Sequence, residues 1–241
     1  MNADREPRVF VALDFGDAAA ALSLVGRLDP RDCGLKIGSE LFTVAGPELV
    51  RALVGRRFNV FLDLKFHDIP NTVARACAAA TRLGVGMMNV HAAGGRAMLA
   101  AAREAVDEAA RRKSMPAPRL IAVTVLTSLD DAALREVTQG DSASAQAVRL
   151  AALARDSDLD GVVCSAAEAR PMRDAFGTAF LLVTPGIRPA DVSLDDQSRI
   201  ATPRAAIANG ADYLVVGRPI TRAADPVAAL AQINRDLEIE R

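Results

Sequence analysis

NVFLDLKFHDIPNTVARACAAATRLGVGMMNVHA, residues 59–92, holds one full turn of a repeating pattern. It opens on an apolar run, residues 59–65, and closes on another, residues 86–92. Between them lies an Ala-rich segment entered at Pro70, a residue suited to the first turn of a helix. Gly84 stands where such a helix should stop. Continuous apolar runs of this length suit parallel strands covered by helices, rather than strands with one wet face. The stretch therefore reads strand–helix–strand.

The same alternation extends to both ends of the chain. Upstream are VFVALD (9–14) and CGLKIG (33–38). Downstream are LIAVTVL (120–126), GVVCS (161–165), FLLVTPG (180–186) and YLVVGR (213–218). Residues 96–113 place Met98, Leu99, Ala102, Val106 and Ala109 on one helical face. The other face offers Arg103/Asp107 and Glu108/Arg112 as ion pairs four residues apart. Pro226 opens a last helix, and Gly210 marks a helix end. About eight strand–helix units in a row wind by right-handed crossovers into a closed (β/α)8 barrel, a TIM barrel. An open doubly wound sheet stays possible, because counting units does not prove closure. No linker or repeat divides the 241 residues, so one α/β domain is expected over 1–241, with residues 1–8 as a loose tail.

Composition narrows the function. There are 29 basic and 30 acidic residues, a formal charge of −1, so no global field points to nucleic acid or an anionic membrane. With no Trp and one Tyr, stacking platforms for single-stranded nucleic acid have little to build with. Cys33, Cys77 and Cys164 stand far apart, which argues for free thiols rather than disulfides or a zinc site. The polar start MNADREPR lacks a signal-peptide core, and no apolar run is long enough to span a bilayer. A cytoplasmic protein with no membrane or nucleic-acid partner is expected.

Polar residues crowd the ends of the apolar runs: Asp14, Lys36, Asp63, Lys65, His91, Thr127, Ser128, Ser165, Arg188 and Arg218. In a barrel that rim carries the active site. Asp63 and Lys65, two apart on a strand, share a face. Read alone they form a structural ion pair, which is costly to bury unless mutually neutralised. Lys36 ends the preceding run and should stand beside Lys65 on the neighbouring strand. Asp68 follows in the turn before Pro70. Two lysines and two aspartates at one mouth would keep an ammonium charged and ready to donate a proton. His67 and His91 read as local hydrogen-bonding residues, and two histidines without a ligand spacing assemble no metal site.

A second group suits phosphate. Thr184-Pro185-Gly186-Ile187-Arg188 follows the seventh run, and Gly217-Arg218-Pro219 follows the eighth. Barrels often bind phosphate in these two loops, through Gly amides and a helix start. Arg218 adds a two-pronged donor.

At these residues the sequence resembles the orotidine 5′-phosphate decarboxylase family, in order and from about Val9 to Ile233. The family's DxKxxDI segment stands here as Asp63, Lys65, Asp68 and Ile69, within DLKFHDIPNTV. Also matching are ALDF (12–15), GLKIG (34–38), VHAAGG (90–95), TVLTS (124–128), GVVCSA (161–166), VTPGIR (183–188), Asp196-Gln197 and VVGRPIT (215–221). The resemblance implies a charged tetrad of Lys36, Asp63, Lys65 and Asp68, with Lys65 the proton donor to C6 of the pyrimidine. It implies that Asp14 and Lys36 hold the ribose, that Thr127 and Ser128 touch the base, and that Gln197 bridges base and phosphate from the loop after Arg188. Gly217 and Arg218 would take the phosphate. Asp68, Ile69 and Thr72 would reach into a neighbouring subunit's site, which makes a homodimer. No cofactor and no metal are implied.

Two relatives on the same barrel are the rivals: 3-keto-L-gulonate 6-phosphate decarboxylase and hexulose-phosphate synthase. They share the Asp-x-Lys-x-x-Asp strand but use a magnesium ion held by an acidic residue at the end of strand two. Here that place is taken by Lys36, a cation that would repel the ion. Phosphate barrels of the tryptophan-pathway isomerase type share only the phosphate loops. A barrel kept as a binding or scaffold protein would be favoured by a missing tetrad residue, and all four are present.

Overall fold

The structure, a computed structural model, describes residues 6–138, 142–188 and 201–238. Eight parallel strands close into a barrel in chain order. They are β1 (Val9–Ala12), β2 (Gly34–Gly38), β3 (Val60–Phe66), β4 (Met87–His91), β5 (Arg119–Val123), β6 (Gly161–Val163), β7 (Leu181–Thr184) and β8 (Tyr213–Val216). β1 pairs with β8 through Val9–Leu214, Phe10–Val215 and Val11–Val216, so the open doubly wound sheet is excluded.

The covering helices are α1 (Ala18–Val25), α2 (Ser39–Gly55), α3 (Pro70–Thr81), α4 (Gly95–Arg112), α5 (Asp131–Val137) and α6 (Ala143–Arg155). Then come α7 (Ala166–Phe176), α8 (Pro203–Ala208), the short α9 (Arg218–Thr221) and α10 (Pro226–Glu238). Pro70 occupies the first turn of α3, and positive-φ Gly84 and Gly210 lie just past α3 and α8. On α4 the apolar face is buried and the two expected ion pairs form, Arg103 to Asp107 at 2.6 Å and Arg112 to Glu108. Among the described helices none is long and apolar enough to cross a membrane.

Several strands end before their apolar runs do. Leu13 and Val125 lie past the ends of β1 and β5 yet stay buried in the outer core.

Alternation along the strands sorts the core into two bodies. Val9, Val11, Leu35, Ile37, Leu62 and their like point outward and pack under the helices. Phe10, Ala12, Phe61, Met87, Ile121, Val183, Tyr213 and Val215 fill the barrel interior. Space there is tight: a Cβ on Gly34 would lie 2.5 Å from the Phe10 ring. Asp63 and Lys65 follow Phe61 by steps of two, so they belong to this inward set. The interior is thus apolar low down and charged at the rim where the strands end.

At the opposite end, chain entries are tied. Asp160, just before β6, accepts the Leu120 N–H at 2.6 Å and Arg103 at 3.0 Å. Asp212, just before β8, accepts the Leu182 N–H at 2.8 Å and Arg173 at 2.6 Å. Of the residues expected as a loose tail, Glu6 and Arg8 are held. Arg8 donates to the Asp212 and Ala211 carbonyls at 3.0 and 2.8 Å. Glu6 accepts from Arg119, Tyr213 and Asn59.

Candidate active site

A cavity of about 490 Å3 opens at the rim where the strands end. Its floor is the top of the apolar interior: Ala12, Phe61, Val123, Val163 and Val215. Its charged wall comes from the segment just past β1 and from strands β2 and β3. Lys36 Nζ donates to Asp14 Oδ1 at 2.8 Å and lies 3.5 Å from Asp63 Oδ2. Lys65 Nζ donates to Asp63 Oδ1 at 2.7 Å. The order is therefore Asp14, Lys36, Asp63, Lys65, with signs alternating along a chain of contacts.

Burial within that chain is uneven. The side chains of Lys36 and Asp63 are 10% and 12% exposed, while that of Lys65 is 35% exposed. Each buried charge touches at least two opposite or polar partners, which is what makes its burial tolerable. Lys65 has its anion on one side and the cavity on the other.

The strand carrying this pair is irregular. In the β3–β4 ladder Leu62 pairs with Met88 and the next pairing is Phe66 with Val90, so β3 bulges between them. Within the bulge Lys65 has φ +52°, the left-handed region. A non-glycine residue there costs about 1–2 kcal/mol. Asn89, fully buried on β4, fills the gap. Its Oδ1 accepts the Lys65 backbone N–H at 2.8 Å and its Nδ2 donates to Asp63 Oδ1 at 2.7 Å.

His91, two residues on, faces the same rim and stacks near His67 with ring centroids 5.3 Å apart. Burial first, then the neighbouring His67 and Lys65, lower the His91 pKa against a small opposing pull from Asp63. The neutral imidazole is thus favoured beside Lys65.

The remaining wall is built by the loops after β7 and β8. Pro185, Gly186 and Arg188 line it, as do Gly217, Arg218, Thr221 and Arg222. Gly186 has φ +78°, a conformation that favours glycine. Arg188 is 6% exposed. Two short backbone turns and three guanidiniums thus face one end of the cavity, a setting for a dianionic group.

The profile of the family described as orotidine 5'-phosphate decarboxylase / HUMPS matches residues 7–233. The chain belongs to that family.

Among relatives named orotidine 5'-phosphate decarboxylase, the one from Nitrosospira multiformis is 59% identical over 97% of this chain and 95% of its own. That from Chromobacterium violaceum is 58% identical over 96% and 92%. The crystal structure of orotidine 5'-phosphate decarboxylase from Lactobacillus acidophilus superposes with a TM-score of 0.85 at 38% identity, covering 96% of this chain and 99% of that one. The orotidine 5'-phosphate decarboxylase family is therefore shared in sequence and in fold.

Against the family resemblance, the structure gathers Asp14, Lys36, Asp63, Lys65, Thr127, Arg188, Gly217 and Arg218 around one cavity. Lys36 differs in detail from its expected place. It registers with Phe61, not Lys65, and its ammonium turns to Asp14 and Asp63, since β2 runs on to Gly38. Asp68, Ile69 and Thr72 do not line the cavity. They lie exposed at the start of α3, Ile69 at 66%, and Asp68 accepts its neighbour's N–H, Ile69 N, at 2.6 Å. Ser128 is exposed beside the rim without lining the cavity. Gln197 lies outside the described residues.

Two features escaped the sequence. Arg222 stands one helical turn beyond Arg218, a spacing that could have flagged it. Asn89 carried no such signal, because a lone amide in an apolar run looks like a packing residue. Cys33, Cys77 and Cys164 are buried thiols, each pushed up to about 12, chiefly by desolvation.

Proposed function

We propose that this enzyme decarboxylates orotidine 5′-phosphate to uridine 5′-phosphate and CO2, a pyrimidine-forming step, without metal or cofactor. The observation that carries the reading is the alternating chain of four charges on one cavity with the β7 and β8 loops. The chemistry needs both. Breaking the C6–carboxylate bond releases CO2 and leaves the electron pair in the plane of the ring, out of reach of its π system. Fixed charge must stabilise that pair. Lys65, hydrogen-bonded to Asp63, supplies the cation and then its proton, which passes to C6 as the N–H bond breaks. Solvent returns a proton to the amine.

Asp63 near the departing carboxylate disfavours the bound acid relative to the carbanion. Asp14 and Lys36 are placed to hold ribose hydroxyls, Thr127 and Ser128 to meet the base, with Gln197 closing from the loop after Arg188. Arg188, Gly217 and Arg218 grip the phosphate, and that remote binding is used at the reacting carbon. Asp68, Ile69 and Thr72, exposed and outside the lining of their own cavity, serve the site of a second copy, so the working form is a homodimer in the cytosol.

The metal-dependent phosphosugar lyases of this family are the second reading. The ammonium of Lys36 between Asp14 and Asp63 already neutralises the carboxylates that a divalent ion would require. The deciding experiment is an assay of EDTA-treated protein with orotidine 5′-phosphate, following loss of the substrate's ultraviolet absorbance. Full turnover is expected. No turnover, or turnover restored only by Mg2+, would refute the reading.

A further inference from the structure

We propose that Asn89 is a positioning residue: its single amide sets both the Asp63 carboxylate and the Lys65 backbone, and so aims the proton donor. The inference rests on the proposed decarboxylation and deepens it.

The argument begins with the ladder. Between the pairings Leu62–Met88 and Phe66–Val90, three residues of β3 face only Asn89 of β4. A bulge leaves backbone groups without a ladder partner and re-aims the side chains it carries. Here the Lys65 N–H would be orphaned, and the Asn89 Oδ1 accepts it at 2.8 Å. That bond is made while Lys65 holds φ +52°, a conformation that persists only if its surroundings over-determine it.

The other end of the amide is as specific. Asn89 Nδ2 and Lys65 Nζ both donate to Asp63 Oδ1, each at 2.7 Å, while Lys36 approaches Oδ2. Asp63 is therefore fixed from three sides, and the amide and the ammonium meet on one oxygen. A side chain with only an acceptor, or only a donor, would satisfy one of these demands. Asparagine has both on a short, stiff arm and no charge of its own. Asn89 is fully buried, does not line the cavity and would touch no substrate atom. Its effect is through Lys65 and Asp63.

Titratable groups around it are Asp14 after β1, Lys36 on β2, Asp63, Lys65 and His67 from β3 and its end, and His91 on β4. Replacing the amide by a carboxyl places a second acid against Asp63. Like charges at that distance cannot both ionise, so one proton is retained to a higher pH than usual. When that proton is present the new group donates to Asp63 as the amide did.

The test uses Asn89→Leu and the isosteric Asn89→Asp, with wild type, in steady-state kinetics across pH and in crystal structures. Asn89→Leu is expected to lower kcat about 100-fold, the loss typical of a misplaced reacting group, with KM unchanged. Asn89→Asp should be similarly slow at neutral pH and recover as pH falls, over a range where wild type is flat. In the crystal, Asn89→Leu should return Lys65 to extended φ and lengthen its contact to Asp63. A kcat near wild type, a rise in KM alone, or an Asn89→Asp profile parallel to wild type would each overturn the proposal. Should Asn89→Leu fail to fold, the isosteric variant carries the kinetic test. Wild type inactive on orotidine 5′-phosphate would sink the decarboxylase reading instead, and the Lys65 backbone in the crystal would then decide the role of Asn89 by itself.

Discussion

Lys65 combines three properties at one position: a left-handed backbone, an ammonium bound to a nearly buried carboxylate, and a free flank on the cavity. The first two fix where its protons point; the third gives them somewhere to go. Lys65→Ala should therefore abolish turnover, losing at least roughly 10²–10⁴-fold in kcat. Stopped-flow or discontinuous assays showing near-normal turnover would end the assignment. Crowding at this rim extends to glycine. A Cβ on Gly38 would stand 3.2 Å from Lys36 Nζ, so that position keeps room for the ammonium. The pairing of Asp63 with Lys65 was legible from the two-residue step. The Lys36–Asp14 bond was not, because which partner a long lysine chooses depends on the register between neighbouring strands.

Among the elements, the foot of the barrel is held by acids that precede strands. Asp160 and Asp212 each bind one backbone N–H and one arginine, and Glu6 draws together Arg119, Tyr213 and Asn59. Burial raises the Glu6 carboxyl, but hydrogen bonds from Arg119 and Tyr213 outweigh it and leave the group below its ordinary value. A carboxyl lowered on folding stabilises the fold above its unfolded value, about 4.3 for glutamate, and loses that contribution as pH falls through the lower folded value. Glu6→Gln should thus cost roughly 1 kcal/mol at pH 7, the scale of a half-exposed charged contact, and nothing in strong acid. Urea melts of both proteins at the two pH values check this; an equal gap at both would contradict it. Strands and helices were readable from apolar runs and from Pro70, Gly84 and Gly210. These ties were not, since an aspartate before a strand looks like any polar turn residue until its neighbour strand is placed.

At the scale of the whole molecule, the sequence disclosed the barrel through eight alternations, and closure only through the structure's β1–β8 pairing. Of the residues proposed for the site, Asp68, Ile69 and Thr72 lie outside the cavity of their own chain. If a second copy receives them, mixing Lys65→Ala with Asp68→Ala chains should restore activity, because a hybrid dimer contains one site with both residues intact. Subunit exchange verified by mass, with no activity regained, would refute the shared site. The β1–β8 seam has a further consequence for synthesis. Arg8 and Val9 meet partners about two hundred positions away in the chain, at Asp212 and Leu214. A nascent polypeptide emerging from the ribosome must hold β1 with one bare edge until β8 is made. Its folding therefore ends in one late, long-range closure, the kind of step that topology makes slow and exposes to misassociation.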